Sequence, residues 1–380
     1  MMQVALTGAE IFDGATRHFG KALLIDGGRV GGIVAPGSLP ESAERVALDG
    51  GLLAPGFVDI QVNGGGGVML NDTPDAETMA KIAAAHLPFG TTSLLPTLIT
   101  DTQAHVVTAL AAAQNCTAAG VAGLHLEGPH LSQARKGAHE AALIHAMSDA
   151  ELAGLCAAAS SLPSLYLTVA PESVSPAQIR QLVDAGANVS LGHTDCDYTT
   201  ARAAFDAGAC AATHLFNAMS QLGNREPGLV GAVLDDGRVW AGLIADGIHV
   251  HAASLRAAMA AKQGPGRLFL VTDAMATIGT DLRSFTLNGR EIRRADGRLT
   301  LADGTLAGAD LDMISAVRFV VDQLGLPVDT ALAMAAAYPA EMLGRADEIG
   351  TLRKGARADI LWLDAALNIR QIWQGGTTRR

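Results

Sequence analysis

The sequence predicts an α/β protein: a (β/α)8 TIM-type barrel with a small β-sandwich domain built from both termini. In the middle of the chain, eight short apolar segments alternate with helical patterns in one run. Near-continuous apolar strands separated by helices are typical of a parallel sheet that is covered on both faces. Strand fragments broken by Gly, Asp and Pro stand at both ends of the chain and indicate the second, smaller domain.

The barrel elements follow in order along the chain. The predicted strands are 56–62, 93–98, 121–127, 165–170, 188–193, 211–215, 240–246 and 268–273. The predicted helices are 76–87, 103–115, 149–159, 176–185, 199–207, 251–262 and 310–324, and a helix at 331–343 carries the chain out of the barrel. A hairpin with strands 285–292 and 298–301 is expected between the last strand and its helix, because residues 295–297 are a turn signal. Eight strands in one run favour a barrel over a doubly wound sheet.

The terminal fragments are predicted to pair into the sandwich. They lie at 4–6, 22–25, 29–34 and 45–48 near the start, and at 358–363 and 369–373 near the end. This divides the chain into residues 1–54 for the first part of the sandwich, 55–344 for the barrel and 345–380 for the second part of the sandwich.

Composition excludes several classes of protein. Of the 380 residues, 49% are hydrophobic and 17% are charged, which is enough apolar material for a large core. The net charge of -11 argues against a nucleic-acid partner. No uncharged apolar stretch reaches the ~18 residues that a membrane helix needs. The four cysteines form no CxxC pair, so we expect reduced residues in a cytoplasmic protein.

Four barrel strands are predicted to end on residues with metal chemistry, namely Glu127, His193, His214 and Asp273. In such barrels the active site lies at the carboxyl ends of the strands. One histidine at a strand end is usually structural, but four such ends together favour a site. A carboxylate and two imidazoles suit three protein ligands of Zn²⁺ with an open position for water, whose pKa such an ion lowers from ~15.7 towards ~7. Asp273 would then exchange a proton with that water and with a leaving amine. By contrast, His130 and His145 have no motif around them and are expected to be surface or helix residues.

Local sequences then carry a family resemblance. HLEGP at 125–129, LGHT at 191–194, THLFNAM at 213–219 and VTDA at 271–274 stand in that order. Together they resemble the N-acetylglucosamine-6-phosphate deacetylases of the amidohydrolase superfamily. APGFVD at 54–59 and GARADI at 355–360 extend the similarity over nearly the whole chain. The resemblance implies the barrel and sandwich, and a homodimer with its sites near the subunit interface.

The resemblance also implies roles for single residues. Glu127, His193 and His214 match the metal ligands, and Asp273 matches the catalytic acid and base. The implied substrate contacts are His139 in KGAH, which helps to polarise the carbonyl, the pair Asn217 and Ala218, and the phosphate-binding pair Arg225 and His249. Either Arg225 or His249 is expected to act in the neighbouring subunit's site.

Strand one departs from the wider superfamily, many of whose members have HxH there and hold two metals. Gln61 and Asn63 stand at these positions, where amides seldom bind Zn²⁺ and are expected to contact the substrate or the ligands. No lysine ends strand four, where the sequence is Ala170-Pro171-Glu172. We therefore expect one divalent ion per subunit, with zinc favoured and iron, cobalt or manganese as alternatives.

The predicted function is metal-dependent hydrolysis of the acetamide of N-acetyl-D-glucosamine 6-phosphate to D-glucosamine 6-phosphate and acetate, by a metal-bound water with Asp273 as base and acid. Two alternatives stay open. The substrate could be N-acetylgalactosamine 6-phosphate or another N-acyl sugar phosphate, because one hydroxyl orientation separates the two epimers. A catalytically silent barrel that serves as a scaffold or sensor is the remoter alternative.

Overall fold

The centre of the computed structural model, which describes residues 3–379, is a ring of eight parallel strands. In chain order, barrel strands one to eight are Phe57–Val62, Thr91–Ile99, Leu124–Glu127, Leu165–Val169, Asn188–Leu191, Ala211–Ala212, Trp240–Ile244 and Leu268–Val271. Each strand pairs with the next in the chain. A parallel bridge between Val62 and Ala274 brings strand eight back to strand one. The predicted barrel is confirmed.

One helix follows each barrel strand. These helices are Ala76–His86, Gln103–Asn115, Asp149–Ala159, Pro176–Asp184, Tyr198–Asp206, Gly228–Asp235, Ala252–Ala261 and Met313–Asp322. Their starts are encoded locally: Ser148 and Ser175 each form a capping box, and such caps stabilise a helix by about 1 kcal/mol. The helix Gly228–Asp235 is absent from the sequence-based prediction. Seven of its eight residues are buried, so it has no polar face and no amphipathic period.

The predicted helix at 331–343 is wrong in its continuity. Two helices, Val328–Ala335 and Ala337–Met342, occupy this stretch, and the chain turns between them at Ala336. Pro339 explains the break, because it has no N–H to donate to the carbonyl four residues earlier and its ring crowds that carbonyl.

The predicted strand at 285–292 is also wrong, since the chain forms a hairpin there. Asn288 and Gly289 both have positive φ, 49° and 75°, as the tightest hairpin turns require. A four-stranded antiparallel sheet results, which we call the mouth sheet: Ser284–Leu287, Arg290–Ala295, Arg298–Thr300 and Leu306–Ala309. Its apolar side chains pack on Ile99 and Met275 at the carboxyl ends of the barrel strands, so the mouth sheet covers one side of the barrel opening.

Strands from both ends of the chain form the small domain, as predicted. One sheet contains Arg29–Val34, Ala22–Asp26, Gln3–Thr7 and Glu44–Ala47, in that spatial order. The other contains Thr377–Thr378, Ile369–Gln374, Ile360–Leu363, Leu52–Pro55, Glu10–Phe12 and Arg17–His18. Leu23, Leu53, Ile360 and Trp373 share one apolar core between them. The boundaries at 54/55 and 344/345 stay predictions, and residues 1, 2 and 380 lie outside the described residues.

Shorter elements complete the chain. They are the paired strands Gly64–Gly65 and Val68–Met69 and the 3₁₀ turns Pro36–Ser38, Leu87–Phe89, Gln133–Arg135 and Ala141–Leu143. Within residues 3–379, no helix combines the length and the apolar character that crossing a membrane requires.

Candidate active site

Three predicted ligands meet at the carboxyl ends of barrel strands three, five and six. Glu127 Oε1 lies 3.3 Å from His193 Nε2 and 3.0 Å from His214 Nε2, and the two imidazole nitrogens are 3.1 Å apart. All three side chains are buried. Burial alone would raise the pKa of Glu127, but the hydrogen bonds to the two histidines hold it well below its usual range. The cluster is therefore an ionised carboxylate facing two imidazole nitrogens.

This triangle has the size and chemistry of a single-ion site. Ligands on tetrahedral Zn²⁺ at ~2.1 Å stand about 3.4 Å from one another, close to the separations found here. The outer nitrogen of His193, Nδ1, donates to the Arg135 carbonyl at 2.8 Å, which directs its Nε2 at the cluster, where it would bind an ion. Among residues 3–379, His214 Nδ1 has no hydrogen-bond partner, while its Nε2 lies 3.0 Å from Glu127 Oε1. The donor set fits the metal site of an amidohydrolase.

The two strand-one amides bind carboxylates at this site. Gln61 Nε2 donates to Glu127 Oε1 at 3.1 Å and to Asp273 Oδ1 at 3.2 Å. Asn63 Nδ2 donates to Asp273 Oδ1 at 2.7 Å. Both amides thus present N–H groups where a second metal would need lone pairs.

Asp273 completes the centre from strand eight. Burial, together with the neighbouring charge of Glu127, raises its pKa to about 6. Its Oδ1 accepts from Asn63 and Gln61, and the side chain lines the same cleft as Glu127. A carboxylate whose pKa lies this close to neutral is suited to taking up and returning a proton.

The strands that carry these groups end earlier than predicted, and for one shared reason. His193, His214 and Asp273 have φ of 45°, 33° and 52°, the left-handed region that non-glycine residues seldom adopt. This conformation ends the strand and costs about 1–3 kcal/mol at each residue. Such strained backbone is concentrated at functional sites, and here it occurs at three of the four predicted strand ends.

His139 reaches the centre from the loop after strand three. Its Nε2 lies 4.0 Å from Glu127 Oε2. The Thr100 N–H donates to His139 Nδ1 at 3.3 Å, so the neutral ring carries its proton on Nε2 and can donate it inward. Burial holds the pKa of His139 well below its usual range, which keeps the ring neutral.

The centre opens into a cleft of about 400 Å³. A cleft of this size is typical of small-molecule sites. Of the remaining predicted site residues it is lined by Asn217, Ala218 and His249, and His249 Nδ1 is fixed by Asp246 Oδ2 at 2.6 Å. Arg225 is exposed on the loop before helix Gly228–Asp235 and is not among the residues that line the cleft of its own chain.

Several groups at the site were missed from the sequence. Leu287 and Leu306 of the mouth sheet form an apolar side of the cleft. Arg290 of the same sheet donates to the Ala138 carbonyl, next to His139. Asp59, buried below the centre, accepts from Thr272 Oγ1 at 2.5 Å. Leu287, Leu306 and Arg290 could have been found from the sequence, because the apolar hairpin that carries the mouth sheet follows strand eight, and the loops that follow barrel strands form the active site.

Comparisons with known proteins agree with this geometry. Residues 52–379 match the family model described as "Amidohydrolase family". An N-acetylgalactosamine-6-phosphate deacetylase of Shewanella sp. (strain ANA-3) is 43% identical over 335 residues, which are 87% of this chain and 83% of that protein. An N-acetylglucosamine-6-phosphate deacetylase of Haemophilus influenzae is 35% identical over 345 residues, 89% of each. The crystal structure of N-acetylglucosamine-6-phosphate deacetylase from Pasteurella multocida superposes with a TM-score of 0.94 at 34% identity and covers 100% of both chains. The chain belongs to the amidohydrolase family, in the branch that contains the N-acetylhexosamine-6-phosphate deacetylases.

Proposed function

We propose that the chain hydrolyses the acetamide of an N-acetylhexosamine 6-phosphate, with N-acetylgalactosamine 6-phosphate as the preferred substrate. The observation that carries the reaction is the convergence of Glu127, His193, His214 and Asp273 in one cleft. The galacto preference rests on the 43% identity to the Shewanella deacetylase, against 35% for the Haemophilus enzyme that acts on the gluco epimer. This preference reverses the order of the two epimers inferred from the sequence alone.

We infer that Glu127, His193 and His214 hold one divalent ion, zinc by preference. When bound, such an ion polarises a carbonyl oxygen and lowers the pKa of water. Gln61 and Asn63 support a single ion, since both direct N–H groups at the carboxylates. Elemental analysis of the purified protein should give close to one divalent ion per chain, and two tightly held ions per chain would contradict the assignment.

In the proposed mechanism, Asp273 takes a proton from the attacking water and returns it to the departing amine nitrogen. Its carboxylate lines the same cleft as the three proposed ligands, and Asn63 and Gln61 hold its Oδ1, which positions it for both transfers. His139, protonated on Nε2, donates a hydrogen bond to the acetamide oxygen as negative charge develops there, which stabilises the transition state. Products are the hexosamine 6-phosphate and acetate.

Asn217, Ala218 and His249 are proposed to contact the sugar and its phosphate. They line the same cleft as Asp273, so phosphate binding there would fix the acetamide near that carboxylate. Arg225 is exposed and absent from the cleft lining of its own chain, which supports a homodimer in which it serves the partner's phosphate. The four free cysteines support a reducing, cytoplasmic setting.

The substrate is tested by measuring kcat/KM for both epimers with one preparation of enzyme. We expect hydrolysis of both, with the galacto epimer faster. The second candidate is the gluco epimer, which the likeness to the Pasteurella structure at TM-score 0.94 supports. Faster hydrolysis of that epimer would reverse the substrate assignment but keep the proposed reaction. Failure to release acetate from either epimer by a metal-loaded protein would support a scaffold or another N-acyl sugar phosphate instead.

A further inference from the structure

A second group of metal-ligating side chains lies outside the cleft. One ligand atom from each of His130, His145 and Glu151 lies within 4.8 Å of the other two. His130 follows barrel strand three and is buried, so the expectation of a surface or helix residue is wrong for it. Glu151 lies in the first turn of helix Asp149–Ala159, and His145 is 46% exposed beside it. Solvent therefore reaches the group from one side.

Both imidazoles have the tautomer of a metal ligand. His145 Nδ1 lies 2.7 Å from the Leu143 carbonyl, and His130 Nδ1 lies 3.2 Å from the His145 carbonyl. A carbonyl only accepts, so each Nδ1 carries a proton, and each ring would bind an ion through Nε2 once that nitrogen has no proton. Histidines that bind metals are held in this way by a backbone carbonyl.

The carboxylate of Glu151 is divided between two roles. Its Oε2 accepts from Ser148 N at 2.9 Å and from Ser148 Oγ at 2.6 Å, which caps the helix. Its Oε1 lies 2.7 Å from His145 Nε2. At this distance a proton on His145 Nε2 joins the two side chains when no metal is bound, so a metal ion would take the place of that proton.

We propose that His130, His145 and Glu151 bind a second divalent transition-metal ion, of the zinc class, separate from the active site. Two imidazoles and one carboxylate provide three protein ligands and leave a fourth position for water. Ligands on such an ion stand about 3.4 Å apart, so His145 must rotate until its Nε2 lies further than the present 2.7 Å from Glu151 Oε1. The half-exposed His145 has room for that rotation.

The ion would close a loop that serves the cleft. His130 and His145 stand at the two ends of residues 131–144, and this segment supplies Arg135 and His139 to the cleft lining. An ion bound by both His130 and His145 would link the two ends of this segment, which restricts the conformations that residues 131–144 can adopt. The site therefore holds the substrate-facing loop in place without touching the substrate.

Zinc stoichiometry tests the site in the protein that keeps its catalytic metal. Equilibrium dialysis against micromolar Zn²⁺, followed by elemental analysis, should give wild type one equivalent more than His145→Ala. Loss of a ligand should lower the affinity for this second zinc ion by at least ~100-fold. Loss of a residue that only supports a ligand lowers metal affinity by up to about that factor. His105→Ala is the matched control, because His105 is 43% exposed and 3.0 Å from Asp101 but is in no such three-residue group within the described chain.

Equal zinc in wild type and His145→Ala would overturn the proposal, whether the equivalent is absent from both or retained by both in the active site. Loss of the equivalent in His105→Ala as well would also overturn it, because binding would then be nonspecific. The readout is metal content, so it is independent of whether the proposed deacetylation is correct.

Trypsin tests the effect on the loop, since Arg135 and Lys136 are partly exposed cleavage sites within it. Added zinc should slow cleavage there several-fold in wild type and leave His145→Ala unchanged. The same cleavage rate with and without zinc in wild type would refute the role in holding the loop.

Discussion

Replacing Asp273 by Asn tests the proposed proton transfers directly. Asp273 Oδ1 accepts from Asn63 at 2.7 Å and from Gln61 at 3.2 Å, and the amide oxygen of the variant can accept both bonds. The isosteric change keeps the volume of a buried side chain, so no cavity forms. What the variant loses is the basic oxygen that faces the cleft.

We expect kcat to fall by at least ~100-fold, the lower end of what general acid–base catalysis contributes. KM for the sugar phosphate should stay near its wild-type value, because the proposed phosphate contacts lie at Asn217, Ala218 and His249. Steady-state acetate release, with metal content measured on the same sample, gives both quantities.

Stability should move in the opposite direction to activity. The Asp273 pKa of about 6, against 3.8 for an ordinary Asp, means that ionising the buried acid in the folded protein is unfavourable. This penalty grows as pH rises from about 4 to 6 and amounts to at most about 3 kcal/mol above that range in metal-free protein. Metal-free Asp273→Asn at pH 8 should therefore unfold at the same or higher urea concentration. A metal-loaded, folded variant with near-normal turnover would refute the role of Asp273 and assign the base to another group, with His139 first.

Three further predictions follow from other contacts. Arg225→Ala should reduce kcat/KM for the phosphorylated sugar far more than for the unphosphorylated one, and mixing it with Asp273→Asn chains should restore some activity; equal losses for both sugars would make Arg225 structural. Asp59→Asn should raise the free energy of unfolding by up to about 4 kcal/mol at pH 8 and by little at pH 4. Burial raises the pKa of Asp59 from 3.8 to about 7, so the wild-type folded state loses stability relative to the unfolded chain as pH rises from about 4 to 7. Urea unfolding at the two pH values checks the sign, and an unchanged midpoint at pH 8 would contradict it. Arg290→Ala should lower kcat about tenfold, since the guanidinium bond to the Ala138 carbonyl positions the loop of His139; the exposed Arg293→Ala on the same strand should have no effect, and equal losses in both variants would exclude a specific role.

The strands and helices that have a regular hydrophobic pattern could be predicted from the sequence. Apolar strands and amphipathic helices have periods that can be read locally, so all eight strands and seven of their helices were located. The helix Gly228–Asp235 escaped because it is buried on all sides and its pattern comes from tertiary packing. Strand ends were placed too late at His193, His214 and Asp273, since their left-handed backbone depends on the assembled site rather than on local propensity.

Contacts between residues far apart in the sequence could not be predicted either. The roles of Asp59 below the centre and of Arg290 beside His139 each join residues far apart in sequence, and neither has a motif of its own. The likeness of His130 and His145 to metal ligands likewise depends on a carbonyl bonded to each ring, which a sequence does not display.

The sharing of one sheet between the two ends of the chain has a consequence for biosynthesis. Leu52–Pro55 pairs with Ile360–Leu363, and roughly 300 residues separate the two strands. At about 5–20 residues per second, the ribosome needs about 15–60 s to deliver the second strand after the first. The barrel segment emerges completely in that interval, while the apolar edge of Leu52–Pro55 waits without its antiparallel partner. Until Ile360–Leu363 has been synthesised, the backbone N–H and C=O groups along this edge of Leu52–Pro55 are open to pairing with other chains or with chaperones.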